Sequence, residues 1–136
     1  MNLQNKALVP VGNFLQSLTL PAQVSRARTK LVASLNAELQ NLAESEKQLV
    51  ADFNGEVNDQ GQINWPKNKD GKSKAPVEYH TEHAVLLNEE VTIELNQPTL
   101  MKALKDYFAE WNEDIDPQYA EAFDAFFDAL ETEQEN

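Results

Sequence analysis

One apolar seam constrains this chain more than any other feature. Val32, Leu35, Leu39, Leu42, Glu46, Leu49 and Phe53 recur at alternating spacings of three and four, with a single charge among them. That spacing keeps a stripe on one side of an α-helix, and its heptad form favours a partner lying along the stripe. It predicts one helix from about Ala22 to Asp52 or Phe53, roughly 45 Å long at 1.5 Å rise per residue. Pro21 breaks the chain before it. Asn54-Gly55 ends it, with the glycine expected to take the left-handed conformation past the last turn. A rod of this length needs a cover. Either the rest of the chain lies along it or a second copy does, so a homodimer through the long helix is one expectation.

Shorter periodic segments supply candidate cover. Leu8, Val11, Leu15 and Leu18 predict a first helix that starts near Val9, because Pro10 is tolerated only within a first turn. From Pro76 to about Asn88 the chain reads as a helix opening on proline, with Val77, Tyr79, Ala84, Val85, Leu86 and Leu87 as its apolar residues. A helix from Thr99 to about Asn112 places Leu100, Leu104, Tyr107, Phe108 and Trp111 on one side. Asp116-Pro117 is a cap followed by a first-turn proline. The helix it opens carries Tyr119, Phe123, Phe126, Phe127 and Leu130 on one side, with Glu121, Asp124, Asp128 and Glu131 on the other. Two segments alternate apolar and polar residues like strands, at about 62–65 and 91–95, and they are expected to pair antiparallel against a helix. The expected fold class is α+β, mostly α: about five helices around one long helix (about 22–53) with a small two-stranded antiparallel sheet. It is expected to form one domain over 1–136, with a polar loop insertion at about 54–75 and a frayed acidic tail at about 131–136. No internal repeat is read.

Charge is distributed unevenly. From Pro76 to Asn136 sixteen Asp or Glu face two lysines, Lys102 and Lys105, a net of −14, while Met1 to Val50 is +2 and the stretch between is neutral. The chain total is −12. Such a field repels nucleic acid, resists self-association and attracts basic surfaces. Direct nucleic-acid binding is therefore not expected, whereas a protein partner with a basic surface is. The absence of cysteine excludes disulfides and thiolate chemistry. No apolar run approaches the ~20 residues of a membrane span, so no membrane partner is expected. No long apolar stretch follows Met1-Asn2-Leu3-Gln4-Asn5-Lys6, so no signal peptide is read and an intracellular setting is expected.

The reactive residue types form few constellations. His80-Thr81-Glu82-His83 is the one metal-like feature. Its spacing differs from the zinc-protease pattern and no third histidine exists, so the pair is expected to be solvated and no metal is assigned. The acidic pairs, Glu89-Glu90, Glu113-Asp114-x-Asp116 and Asp124 with Asp128, sit among polar neighbours and read as solvent faces. Asn58-Asp59-Gln60-Gly61 lacks the alternating acids and closing Glu of a calcium loop. No nucleophile elbow, phosphate loop or dinucleotide fingerprint is present. The expectation is a non-catalytic protein without a cofactor.

Two features remain. Ser25-Arg26-Ala27-Arg28-Thr29-Lys30 places cations near a helix N-terminus, where the dipole disfavours them. Arg26 and Arg28 are therefore expected to pair with carboxylates from the acidic half. The aromatic stripe Tyr107, Phe108, Trp111, Phe123, Phe126 and Phe127 is expected to form the core of a helical hairpin. Its surplus aromatics are candidates for docking. The candidate protein-binding residues are Tyr107, Trp111, Asp124, Asp128 and Glu131.

The opening Leu3-x-Asn5-Lys6-x-Leu8, with Asn13-Phe14-Leu15 and Ser25-Arg26-Ala27-Arg28-Thr29-Lys30-Leu31, resembles a small uncharacterised family of tailed phages and prophages of Gram-positive bacteria. Members also resemble this chain in a long helix ending in an acidic, Gly-containing turn, a strand like Val91-Thr92-Ile93-Glu94, and an acidic last helix with an aromatic–Asp step like Phe123-Asp124. The specific similarity lies in the first thirty residues or so. Lys67 to Lys74 and the histidine pair depart from the pattern. The family carries no assigned activity, so no catalytic residue is transferred. The resemblance implies a phage or prophage gene. The product would act in the cytoplasm of the infected host or with the virion, as an assembly or virion-associated factor. The alternative reading is an acidic DNA mimic that inhibits a host defence nuclease.

Overall fold

The computed structural model describes residues 1–133. The chain is an α-rich α+β fold. In order it forms β1 (Asn2–Gln4), a 3₁₀ turn (Asn5–Ala7), α1 (Leu8–Gln16), α2 (Ala22–Asp52), β2 (Glu56–Val57), β3 (Ile63–Asn64), α3 (Val77–Asn88), β4 (Glu90–Thr92), α4 (Pro98–Ala109), a 3₁₀ turn (Pro117–Tyr119) and α5 (Ala120–Thr132). The long seam forms the 31-residue α2, and Pro10 falls in the first turn of α1. The chain divides into two compact units. One comprises Met1–Leu39 with the chain from Glu90 on; the other is Gln40–Glu89. The division falls inside α2.

In the first unit, Leu8, Val11, Phe14 and Leu15 of α1 are buried with Val24, Ala27, Leu31, Val32 and Leu35 of α2. Leu100, Leu104 and Phe108 of α4 and Phe126, Ala129 and Leu130 of α5 complete this core. Its centre is aromatic. The Phe14 ring meets Phe123 at 5.8 Å and Trp111 at 6.3 Å, both edge to face, and Phe108 meets Phe126 at 5.2 Å. Such pairs add about 0.5–1.5 kcal/mol beyond the area they bury. Of the expected stripe, Phe108 and Phe126 are buried and Tyr107, Trp111, Phe123 and Phe127 pack half-buried against that core, and the ring it lacked is Phe14 of α1.

The expected two-stranded antiparallel sheet is present, but its pairing differs. β4 pairs with β1, in the register Asn2↔Thr92, Leu3↔Val91 and Gln4↔Glu90, and the Ile93 N–H donates to the Met1 carbonyl at 2.7 Å. The segment at 62–65 does not meet 91–95; β3 pairs instead with β2 as a local hairpin. A tight turn closes β2 on β3 at little entropic cost, leaving β3 no reason to seek a distant partner. β1 was invisible because three residues with one apolar side chain carry no period.

The second unit has a thin core. Of the chain's buried apolar residues it contributes Val50 and Tyr79. The end of α2 also departs from expectation. Asn54, not Gly55, takes the left-handed conformation at φ 67°, and the Gly55 N–H donates to the Val50 carbonyl at 2.9 Å. Asparagine tolerates that region. Gly55 is needed for another reason: a Cβ there would lie 2.8 Å from the Trp65 ring and from Val50 Cγ1.

The stretch expected as a polar loop insertion, 54–75, holds two hairpins of one design. Asn58 Oδ1 accepts from the N–H of Gln60 at 3.0 Å and of Gln62 at 2.9 Å. Ten positions on, Asn68 Oδ1 accepts from Asp70 at 2.9 Å and Lys72 at 3.1 Å. Gly61 (φ 79°) and Gly71 (φ 74°) occupy equivalent left-handed positions. This short repeat was missed because only its asparagine and glycine recur, the two residues whose backbone roles are indispensable.

α5 runs to Thr132, and Glu133 pairs with the Met1 ammonium at 2.5 Å. The rest of the expected tail, 134–136, lies outside the described residues.

Candidate functional site

The five candidate binding residues all lie in the first unit, but they do not form one site. Tyr107 and Trp111, both half-buried, flank a shallow groove with Asp106, Glu110 and Glu113. Trp111 spends one face on the core, 5.2 Å from Phe123. Asp124 and Asp128 line a different groove with Glu90 and Glu121, between β1 and α5. Glu131 borders a third, with Phe127, Leu130 and Lys105. Helical periodicity placed each residue on the correct kind of face. It could not say that the packing around them places these residues at separate grooves.

Every described Asp and Glu from Glu78 to Glu131 is exposed. Along α5, Glu121, Asp124, Asp128 and Glu131 follow a three–four–three spacing, so their carboxylates share one side over about 15 Å of helix. Among the described residues no group of three His, Cys, Asp or Glu is placed to hold a metal ion. Nor is any buried side-chain nitrogen or oxygen among them left without a hydrogen-bond partner.

Arg26 and Arg28 require a correction. Among the described residues neither makes an ion pair. Arg28 turns back to the C-terminus of α1, where Nη1 donates to the carbonyls of Leu15, at 3.0 Å, and Leu18, and Nη2 donates to Ser25 Oγ at 3.1 Å. A cation there meets the negative end of α1's dipole and adds a donor to one carbonyl of its last turn and one just beyond it. The unfavourable position in α2 is thus the favourable end of a neighbouring helix. Arg26 is exposed.

The second unit holds a cluster that no sequence pattern announced. His83 on α3 meets Glu46 on α2, Nε2 to Oε2 at 2.7 Å. The His83 ring stacks on Tyr79 at 5.5 Å and an interplanar angle of 9°. Trp65 packs on Tyr79 at 4.7 Å, and Phe53 meets Tyr79 edge-on at 6.2 Å. Burial, and then the Glu46 carboxylate, push the Tyr79 hydroxyl above its ordinary value near 10. His80 is exposed, edge-on to Tyr79 at 5.5 Å. The two histidines therefore do different things. The clue available in the sequence was Glu46 itself, the one charge in an apolar seam.

Beside this cluster lies a groove of about 390 Å³ lined by Ala43, Glu44, Glu46, Lys47, Val50, Val57, Gly61, Ile63 and Tyr79. Among the described residues no helix is long and apolar enough to cross a membrane. No family model, curated protein or solved structure matches this chain.

Proposed function

We propose that this chain is a non-catalytic interaction protein of phage or prophage origin. It serves as a virion-assembly or virion-associated accessory factor, in the cytoplasm of the infected bacterium or on the particle. The observation that carries the reading is the outward display of the acidic residues from Glu78 to Glu131. Carboxylates that perform acid–base or two-metal chemistry converge or are buried; carboxylates that recruit a basic protein are spread over solvent-facing surfaces. The resemblance of the first thirty residues to phage and prophage proteins supports the setting. A partner on the basic surface of a phage structural protein or a host protein fits the net charge of −12. Self-association through α2 is the weaker possibility, because Val32 and Leu35 of its seam are buried in the first unit's core and Leu39 packs against it.

One observation favours a second reading, an acidic mimic of DNA that occupies a nuclease groove. It is the row Glu121, Asp124, Asp128 and Glu131 on one side of α5. One titration separates the two. The chain is co-expressed in a bacterial host with the products of its neighbouring genes, and any complex it forms with a phage or a host protein is measured by light scattering at 50 mM and 500 mM salt. An assembly contact with apolar content survives the change, whereas a phosphate-mimicking contact collapses. Turnover of a substrate by the pure chain would end both readings.

A further inference from the structure

Three features that favour the same kind of ligand meet at the end of α4. The first is aromatic. Tyr107 in the last turn of the helix and Trp111 just past its end line a groove of about 560 Å³. Both are half-buried, so part of each side chain remains open to solvent. The face of an aromatic ring carries partial negative charge and attracts cations, a tryptophan face most strongly.

The second feature is charge. The remaining lining residues are Asp106, Glu110, Asn112 and Glu113, and among the described residues no lysine or arginine lines the groove. Asp106 is held by Lys102 at 2.6 Å. Glu110 and Glu113 are exposed, and among the described residues neither side chain has an ion pair or a hydrogen bond. Two carboxylates without a counter-charge therefore stand beside two aromatic residues.

The third feature is the helix end itself. The last carbonyls of a helix lack intrahelical donors and carry partial negative charge. At α1 a cation of this chain, Arg28, answers that end. At α4 the last turn holds no basic residue. Lys102 is paired with Asp106, and Lys105 lines a different groove with Phe127 and Leu130.

We propose that the groove at the end of α4 binds an arginine side chain presented by another protein. A guanidinium matches all three features: it stacks flat on aromatic rings, donates several N–H groups to carboxylates, and is more weakly hydrated than an ammonium. It packs against Tyr107 and Trp111 and donates to Glu110 and Glu113. This deepens the reading of the chain as an interaction protein and rests on it. The carboxylates spread over the rest of the surface draw a basic partner in, and the groove gives that partner one defined contact.

The test uses the full-length, ¹⁵N-labelled protein and three Gly/Ser peptides that differ only at two central positions, which hold arginine, lysine or citrulline, the neutral isostere of arginine. The arginine peptide is expected to shift the Trp111 indole N–H and the amides of Asp106–Glu113 while leaving the Trp65 indole in place. It should bind roughly threefold more tightly than the lysine peptide and roughly tenfold more tightly than the citrulline peptide. Glu110→Gln with Glu113→Gln should weaken it roughly fivefold. Both sites are exposed, so this variant keeps the proposal testable if others misfold. Tyr107→Leu keeps an apolar side chain without the ring and should weaken binding roughly threefold. Any of three results would overturn the proposal: an unmoved Trp111 indole, equal binding of the arginine and citrulline peptides, or full affinity in the double glutamine variant. Shifts confined to Glu121–Glu131 would remove this site and leave the interaction-protein reading standing. Turnover of a substrate by the pure chain would remove that reading, while the titration would still decide whether the groove takes arginine.

Discussion

Replacing Arg28 by alanine tests the packing of α1 on α2. The guanidinium donates to the Leu15 carbonyl in the last turn of α1, to the Leu18 carbonyl two residues beyond it and to Ser25 Oγ. Hydrogen bonds from a charged donor contribute about 1.5–3 kcal/mol each when well sequestered. Arg28 is only half-buried, so water recovers part of that. The Leu15 carbonyl also accepts from the Leu18 N–H at 3.4 Å and is not wholly orphaned. The summed loss is therefore about 2–3 kcal/mol, or roughly 6–12 °C in Tm for a chain of this size. Arg28→Lys keeps the charge but cannot span two carbonyls with a planar fork, and should lose about half as much. Arg26→Ala, at an exposed site, should stay within about 0.5 kcal/mol. Thermal unfolding by circular dichroism at 50 and 500 mM salt reads all three. Because the partners are neutral carbonyls and only the dipole contribution is screened, most of the Arg28→Ala loss should persist at 500 mM salt. A loss that vanishes at high salt, or an Arg26→Ala cost as large, would refute the capping argument and restore carboxylate partners to these arginines.

Two other predictions concern the second unit. Gly55→Ala puts a methyl 2.8 Å from Trp65 and Val50 and should cost about 1–3 kcal/mol as overpacking. At Gly61 nothing lies within 4 Å, so alanine there should cost only the ~1 kcal/mol of its left-handed backbone. Urea unfolding followed by tryptophan fluorescence compares them, and a larger cost at Gly61 would contradict the close approach of Trp65. For Tyr79, the folded state holds the hydroxyl's ionisation above the unfolded value near 10. The resulting stability is fully present below pH 10 and is lost as pH rises through the higher folded value. Tyr79→Phe should therefore flatten the fall in stability above pH 10 and change it little at pH 7; an unchanged alkaline slope would show that Tyr79 ionises freely.

Some of this protein was decided within short stretches of sequence. The three–four spacing of α2, the Asp116-Pro117 start before α5 (Gln118 N–H to Asp116 Oδ1 at 3.1 Å) and the acidic sides of the last helix are local. A repeating period shows which side of a helix is apolar whatever lies opposite, so helix positions and exposed carboxylates could be read directly. Partners could not. β4 joined β1 across ninety residues, Arg28 went to backbone carbonyls of α1 rather than to any acid, and Glu46 met His83. Periodicity identifies a face but carries no information about what meets it. Backbone carbonyls, moreover, are present at every residue and leave no mark in composition. The groove beside Val57 and Ile63 was hidden for the same reason. Two valine- or isoleucine-sized side chains in a polar loop look incidental until a hairpin sets them opposite one another and α2 supplies the other wall.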